Sequence, residues 1–580
     1  MAAARPGDVG QPRRAASRHA LRDGDRAAPH GAHLRRGQRA DARRRGVTAG
    51  PFEGDWDHIV VGAGSAGCVL ANRLSDDPKR RVLLLEAGGE ARHPYLHVPA
   101  GFLKTFRDPR FNWNFSTEPG PGVDGRSIHT PRGRVLGGSS AINGHLWVRG
   151  SARDFDDWAQ AGCRGWSFTD VLPHFRAIED YRNDAYRAAG GPQHVSDIPQ
   201  THPIVAAFLD GAAELGLARN PDYNGARQEG AFTYQRTIRN GARFSAASAF
   251  LAPARGRANL RVVTGATVLR IETAQGRATG ITFERDGRTL TARAGGDILL
   301  AAGAIGTPHL LQVSGLGPAA LSQALGVAVV ADNPGVGENL QDHYAMRVVH
   351  RVTRPVTLNE QARPPRLWWE MARWLVARKG MLAFSPAHAG AFARSRETLE
   401  EPDLQFVFTP ASYAEEGVTG RLQDTPGMTI GVWQCRPESR GFVRARSADP
   451  RQAPAIQPNY LMAEEDRAAA VAGLRLSRRL LGTGALAPWS AEETAPGPQK
   501  ESEDDLLAYA RARGSTVYHL CGTCRMGGDD APLAPDLRLR GIAGLRVADA
   551  SVMPRIVSAN TNATTMMIAE KAAALVRGGA

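Results

Sequence analysis

The run Gly62-Ala63-Gly64-Ser65-Ala66-Gly67 constrains this chain more than any other feature of its 580 residues. It follows a short apolar strand, His58-Ile59-Val60-Val61, and opens a segment in which Ala66, Leu70 and Leu74 recur at helical spacing. A second apolar strand, Arg81 to Leu85, ends at Glu86, nineteen residues past Gly67. Each part has a physical task. Gly62 permits the tight turn, Gly64 lets the backbone approach a pyrophosphate, and Gly67 lets the helix pack closely on the sheet. The helix N-terminus offers free N–H groups and a positive dipole to phosphates. Glu86 is placed to accept hydrogen bonds from ribose hydroxyls, and its charge disfavours a 2′-phosphate. The unit predicts an α/β, Rossmann-like dinucleotide-binding domain, without separating FAD from NAD.

A chain of this length exceeds one ordinary core, so two domains are expected. Hydrophobic residues make up 42% and charged residues 22%, in the range of a globular protein, and no apolar run reaches transmembrane length. The net charge of +14 is unevenly placed, because residues 1–50 carry twelve arginines against four aspartates. Nothing in the rest combines a basic stripe with stacking aromatics, which argues against nucleic acid. Residues 1–53 hold too few large apolar side chains to offset their ordering entropy, and no apolar h-region follows the arginines. They are expected to be disordered, or to precede the true start of the protein. The five cysteines, Cys68, Cys163, Cys435, Cys521 and Cys524, form no disulfide pattern and suit a reducing, cytoplasmic compartment. A peripheral contact with the inner membrane is the alternative. No metal-ligand spacing is present; Cys521-x-x-Cys524 lacks a second ligand pair.

Residues 133–150 read Gly-Arg-Val-Leu-Gly-Gly-Ser-Ser-Ala-Ile-Asn-Gly-His-Leu-Trp-Val-Arg-Gly. With Gly303-Ala304-Ile305-Gly306-Thr307-Pro308, the stretch Pro334 to His343 and the C-terminal stretch from Gly544 to Lys571, this pattern resembles the glucose–methanol–choline (GMC) oxidoreductases. The resemblance spans about residues 55–577 and implies FAD. It places Arg134, Leu136, Gly137, Gly138, Ser139, Asn143 and Gly144 along the flavin and pyrophosphate. A Gly-Gly-Ser-Ser turn suits that task because it exposes backbone N–H groups to anionic oxygens. The resemblance adds Ala87, Val268 in a strand from Leu260 to Ile271, Ala302, Gly303, Asp549, Ala550, Asn562 and Thr564 to the cofactor contacts, beside Gly62, Gly64, Ser65, Ala66, Gly67 and Glu86. Some choline-oxidising relatives attach the flavin covalently through a His in the first motif. Ile142 stands there in this chain, so non-covalent FAD is expected.

Oxidation of an alcohol needs a base for the hydroxyl proton, with the α-hydride held close to the flavin. Val517-Tyr518-His519-Leu520-Cys521-Gly522 resembles the family's catalytic His motif and gives His519 the base position. Asn560, in Ser558-Ala559-Asn560-Thr561-Asn562, takes the second position, where an amide can steady the substrate oxygen. A helix from about Thr564 to Leu575 is expected to begin against the flavin. His145, His309 and His343 are given packing or hydrogen-bonding roles.

The resemblance implies a discontinuous FAD-binding domain (54–160, 228–330 and 515–577) interleaved with a substrate domain (161–227 and 331–514) built on an antiparallel sheet. Phe442 to Arg446 alternates as a half-exposed strand would. Residues Arg366 to Lys379 hold Trp368, Trp369 and Trp374. A helix packing its Trp face on the core is the favoured reading, with one Trp at the rim; an amphipathic lid or membrane-touching surface is the other. Relatives that oxidise choline carry a Glu where simple alignment puts His388. Without it, the expected substrate is an uncharged primary alcohol, oxidised to the aldehyde. A dehydrogenase with a quinone-like electron acceptor is favoured over an oxidase using O2. A light-driven fatty acid decarboxylase, suggested faintly by Cys435-Arg436-Pro437, is disfavoured by His519.

Overall fold

The computed structural model describes residues 52, 54–199, 202–354, 357–414 and 421–578. The expectation for residues 1–53 therefore lies, apart from Phe52, outside the described residues. Two seven-stranded sheets organise the remainder. In the first, the strands run in the order Leu260–Thr264, Val82–Glu86, Asp55–Val61, Arg288–Leu300, Arg277–Arg285, Thr267–Ala274, with Leu545–Val547 also paired to Arg288–Leu300. The pairs around Asp55–Val61 are parallel, and those around Arg277–Arg285 antiparallel. Arg288–Leu300 serves both: its first half closes the antiparallel hairpins, and its second half, Asp297 to Leu300, lies in the parallel core. Ile298, Leu299 and Leu300 there are apolar and fully buried, as a strand covered on both faces must be.

The second sheet is antiparallel, in the order Ser490–Ala495, Tyr344–Val352, Gly427–Gln434, Leu404–Thr409, Ala389–Ala393, Gly230–Thr233, with Ser515–Thr516 paired to Tyr344–Val352. Its period-2 pattern divides two environments. Tyr344, Met346, Val348, Phe406, Phe408, Ile430 and Val432 point to one face and are buried with residues of the helices Glu464–Leu481 and Pro203–Glu214. Ala345, Arg347, Val407, Thr409, Thr429, Gly431 and Trp433 point to the other, where they line a cavity.

Several local expectations change. The stretch from Leu260 to Ile271 is two strands broken by a turn at Gly265, where φ is +67°. Residues 230–233 and 515–516 pair within the second sheet. Phe442–Arg444 pairs only with Ala455–Gln457, in a small separate hairpin. The C-terminal helix runs Thr561–Arg577, three residues earlier than expected, because Asn560 takes the extended conformation of an N-cap. The Arg366–Ala377 helix does not lay a Trp face on the core: Trp374 is buried, whereas Trp368 and Trp369 are both exposed. Among the described residues, no helix is long and apolar enough to cross a membrane.

Candidate active site

The cavity, about 510 Å³ in volume, runs from the C-terminal ends of the parallel strands to the inner face of the antiparallel sheet. At the parallel end the walls are mainly backbone. A Cβ on Gly62, whose φ is +96°, would lie 2.6 Å from the Ala301 carbonyl oxygen. One on Gly138 would lie 2.6 Å from Gly64 Cα. At Gly64 itself the nearest protein atom is 4.0 Å away, and at Gly303 nothing lies within 4 Å, so both backbones face open space. The helices Ser65–Leu74, Gly303–Val313 and Thr561–Arg577 begin here, none capped by the side chain of its own N-cap residue. Three sets of N-terminal N–H groups thus converge on one cavity, a surface suited to an anionic, extended ligand.

Two buried carboxylates shape this end. Glu86 accepts from the backbone N–H groups of Ala63 and Gly88, each at 2.8 Å. Burial pushes it up to about 7, against the pull of those hydrogen bonds and of Arg134. The carboxylate therefore fixes the glycine turn as well as lining the cavity. Asp549 accepts from Gly303 N at 2.8 Å, Thr307 Oγ1 at 2.6 Å and Ser551 N at 2.8 Å, tying the Gly303–Val313 helix to the segment after the strand Leu545–Val547. The open glycine backbones, the uncapped helices and the two anchored acids fit FAD.

Of the residues expected to touch the cofactor, Gly62, Gly64, Ser65, Ala66, Glu86, Ala87, Gly138, Ser139, Asn143, Gly144, Val268, Ala302, Gly303, Asp549, Ala550, Asn560 and Asn562 line the cavity. Five stand behind its wall. Gly67 packs on the turn, where a Cβ would lie 1.8 Å from the Gly62 oxygen. Gly137 turns the chain at φ +91° and donates to the Ala63 carbonyl at 2.8 Å. Leu136 is in the core. Arg134 stacks its guanidinium 4.7 Å from the Trp113 ring, which does line the cavity. Thr564 donates to the Arg149 carbonyl at 3.0 Å, and its neighbour Thr565 faces the cavity in its place.

His519 and Asn560 meet where the two ends join. His519 Nε2 is 3.0 Å from Asn560 Nδ2, and its Nδ1 is 2.9 Å from His343 Nδ1. His343 Nε2 is 2.9 Å from the Cys435 carbonyl oxygen, which can only accept. His343 therefore carries its proton on Nε2 and offers a bare Nδ1. His519 must then donate through Nδ1, which leaves Nε2 unprotonated toward Asn560. Burial lowers His343 to about 4, and it holds His519 well below its ordinary value, with His343 and Arg132 adding to the effect. Asn560 is oriented in turn, since its Oδ1 accepts from Gln405 Nε2 at 3.2 Å. The His519 backbone N–H donates to Asp342 Oδ1 at 2.8 Å, and Asp342 Oδ2 accepts from Thr516 Oγ1 at 2.5 Å and Tyr460 OH at 2.6 Å. Sequence reasoning gave His343 a hydrogen-bonding role without identifying its partner, and it missed Gln405 entirely. His343 lies in the motif Pro334 to His343, a usable signal; Gln405 lies in an ordinary strand.

Beyond the pair, Phe102, Phe106, Val407, Tyr413, Trp433 and Tyr518 make the far wall, with Gly431 leaving room at its centre. Arg347 reaches this end from Tyr344–Val352, and its Nη1 is buried without a hydrogen-bond partner among the described residues. Glu86 and Asp549 are the only carboxylates among the described lining residues, and both belong to the parallel end. His145 also lines the cavity, fully buried, with neither ring nitrogen bonded. His309 lines it too, so its expected packing role is incomplete. His388 sits behind Pro386 and Ala387, outside the lining. Arg436 is drawn off to Asp154 at 3.3 Å, away from the cavity. The cysteines are all buried and free, and no His, Cys, Asp and Glu cluster among the described residues could hold a metal.

Comparison with known proteins agrees with this geometry. The N-terminal model of the GMC oxidoreductases matches residues 56–345, and the C-terminal one residues 437–569. The chain is 40% identical to human mitochondrial choline dehydrogenase over 90% of both chains. It is 39% identical to the oxygen-dependent choline dehydrogenase of Photobacterium profundum, over 90% of this chain and 93% of the relative. Among solved structures, pyridoxine 4-oxidase from Mesorbium loti superimposes with a TM-score of 0.81 at 32% identity, covering 90% of this chain and 99% of that one. The chain belongs to the GMC oxidoreductase family, flavoproteins that use FAD to oxidise CH–OH groups.

Proposed function

We propose that this protein oxidises an uncharged primary alcohol to its aldehyde with non-covalent FAD, His519 acting as the base. The observation that carries the reading is the hydrogen-bonded series Cys435 carbonyl, His343, His519, Asn560, which leaves a lone pair on His519 Nε2 facing the cavity. A substrate oxygen entering between His519 and Asn560 accepts from Asn560 Nδ2 while giving its proton to Nε2. The protonated ring keeps its Nδ1–H bond to His343, and the Asn560 amide opposes the charge that develops on oxygen. Such a base contributes roughly 10²- to 10⁴-fold and such a donor roughly 10²- to 10³-fold. FAD, when bound, supplies the ring that takes the α-hydride. Gly62, Gly64, Ser65, Glu86, Gly138, Ser139, Asn143, Asp549 and Asn562 would hold it. Ile142 offers no nucleophile for a covalent link.

The choice of an uncharged alcohol rests on charge. A trimethylammonium group at the far end would meet Arg347 and aromatic faces, with no carboxylate among the described lining residues there. Attraction by aromatic faces alone is small beside repulsion from a desolvated guanidinium. Choline and 3,3-dimethylbutan-1-ol have nearly the same shape and differ in charge. We expect the neutral alcohol to bleach the flavin without oxygen at a kcat/KM at least about tenfold above that of choline. A higher value for choline would sink the substrate assignment. The dehydrogenase reading, with a quinone-like acceptor, is supported by the relative named choline dehydrogenase, whereas the oxygen-dependent choline dehydrogenase and pyridoxine 4-oxidase keep O2 as the alternative acceptor. Slow reoxidation on admitting air is the expected result, and turnover-rate reoxidation would make the protein an oxidase. Five free, buried cysteines favour a reducing compartment such as the cytoplasm.

A further inference from the structure

The Arg366–Ala377 helix is built inside out. Glu370 and Trp374 face the protein: Glu370 Oε2 accepts from Met381 N at 2.7 Å, and Trp374 Nε1 donates to the Gly241 carbonyl at 2.8 Å. The outer face, where a surface helix carries its polar residues, holds Trp368 (65% exposed), Trp369 (68%), Met371, Leu375 (65%) and Val376 (89%). These are five of the ten exposed large hydrophobic residues among those described, so the apolar surface is concentrated on this one element. Their spacing at i, i+1, i+3, i+7 and i+8 forms a single broad stripe. The helix is moored by its inward groups, so the stripe is a fixed feature rather than a loose end.

Cations ring the stripe. Arg363, Arg366, Arg378 and Lys379 are exposed, and Arg373 is half-buried. Arg363 pairs with Asp424 at 3.1 Å, Arg373 lies 3.5 Å from Glu370, and Arg378 covers the Trp374 ring at 4.0 Å. Arg366 and Lys379 have no such partner among the described residues. The two acids of the segment are engaged, Glu360 in capping Thr357 and Glu370 as above. A second copy docked through this face by twofold symmetry would set one basic fringe against the same fringe. An anionic lipid surface matches both features at once, with apolar side chains and tryptophans at the headgroup boundary and arginines and lysine on the phosphates.

We infer that the Arg366–Ala377 helix is a docking helix that lies on an anionic lipid bilayer with its outer face immersed. Its position gives the contact a use. The short turn Met381–Ala383 packs on both this helix and the turn Pro99–Gly101, and the chain then reaches Pro386 and Ala387 in the wall of the cavity that Phe102 also lines. Docking would hold that wall beside a surface in which apolar alcohols and quinones dissolve.

The test is flotation of the full-length holoenzyme with phosphatidylcholine vesicles, with and without phosphatidylglycerol. The wild type should bind the anionic vesicles at least about tenfold better and be released by salt. Trp369→Ser with Val376→Asp should lower binding about tenfold or more. Arg366→Glu with Lys379→Glu should abolish the preference for phosphatidylglycerol. Both pairs are exposed and lie outside the cavity lining, so flavin content and activity with a soluble dye should stay unchanged. The inference is overturned if the wild type does not float, or if both double variants float as it does. The latter would assign lipid binding to the arginine-rich first fifty residues. It is overturned equally if Val376→Asp dissociates an oligomer in lipid-free buffer, which would make the face a subunit contact.

Discussion

At the parallel end of the cavity the recognising groups are main-chain N–H groups and glycines. At the antiparallel end they are side chains drawn from several strands and loops far apart in sequence. Gly62, Gly64, Ser65 and Glu86 lie within one short strand–helix–strand unit. His343, Gln405, Cys435, His519 and Asn560 span more than two hundred residues and meet only through long-range hydrogen bonds. The two constructions fail differently. A backbone cradle tolerates changes in the side chains around it and is destroyed by an added Cβ. A side-chain relay loses rate by a graded amount with each member removed, and it can be dismantled without disturbing the cradle.

Substitution should therefore separate the two ends. The largest effect is expected from Gly62→Ala, where a Cβ meets the Ala301 carbonyl at a positive φ. The cost is about 2 kcal/mol or more, concentrated on the cofactor turn, and the purified protein should lack flavin absorbance. Retention of a full complement of FAD would remove the distinction drawn above. His519→Ala should keep its flavin spectrum and lower the anaerobic rate of flavin reduction by about 10³-fold. Loss of flavin in this variant would mean that the relay also builds the cradle. Asn560→Ala should cost about 10²-fold in the same measurement.

The smallest effect sharpens the role of His343. Because His519 is held well below 6.5, its neutral form persists as pH falls through that value. Flavin reduction should stay level through neutrality and turn down only at lower pH. A descending limb centred at 6.5 or above would contradict the buried relay. His343→Phe removes the acceptor for His519 Nδ1–H, and should slow reduction about tenfold and displace that limb. A change in stability with an unmoved limb would reduce His343 to packing.

The family, the glycine fingerprint and the two residues His519 and Asn560 that meet in the cavity were legible because each lies in a local pattern with a direct physical meaning. Glycines at fixed offsets from a strand and a helix leave little freedom, and a His inside a long motif stands out from the other fifteen. Thr564 went astray because neighbouring helix residues point about 100° apart, so an assignment off by one residue picks a side chain that faces the protein instead of the cavity. Arg134, Leu136 and Gly137 belong to the motif yet support it from behind. The tryptophan helix was misread because periodicity reports that a face exists, not which side the protein occupies.

What the amino-acid order determined by itself was the set of backbone shapes: the glycine turn, the strand that feeds it, the acid that follows, and the histidine brought to a motif's centre. Tertiary structure alone decided which nitrogen of His519 is free, because that depends on the Cys435 carbonyl and His343, residues 84 and 176 positions away from it in the chain. It also decided the charge of the far wall, through the register that points Arg347 and Gly431 inward while Met346 and Val432 turn to the other core. Sheet register and long-range hydrogen bonding are collective properties of the fold, so no single stretch of sequence carries them.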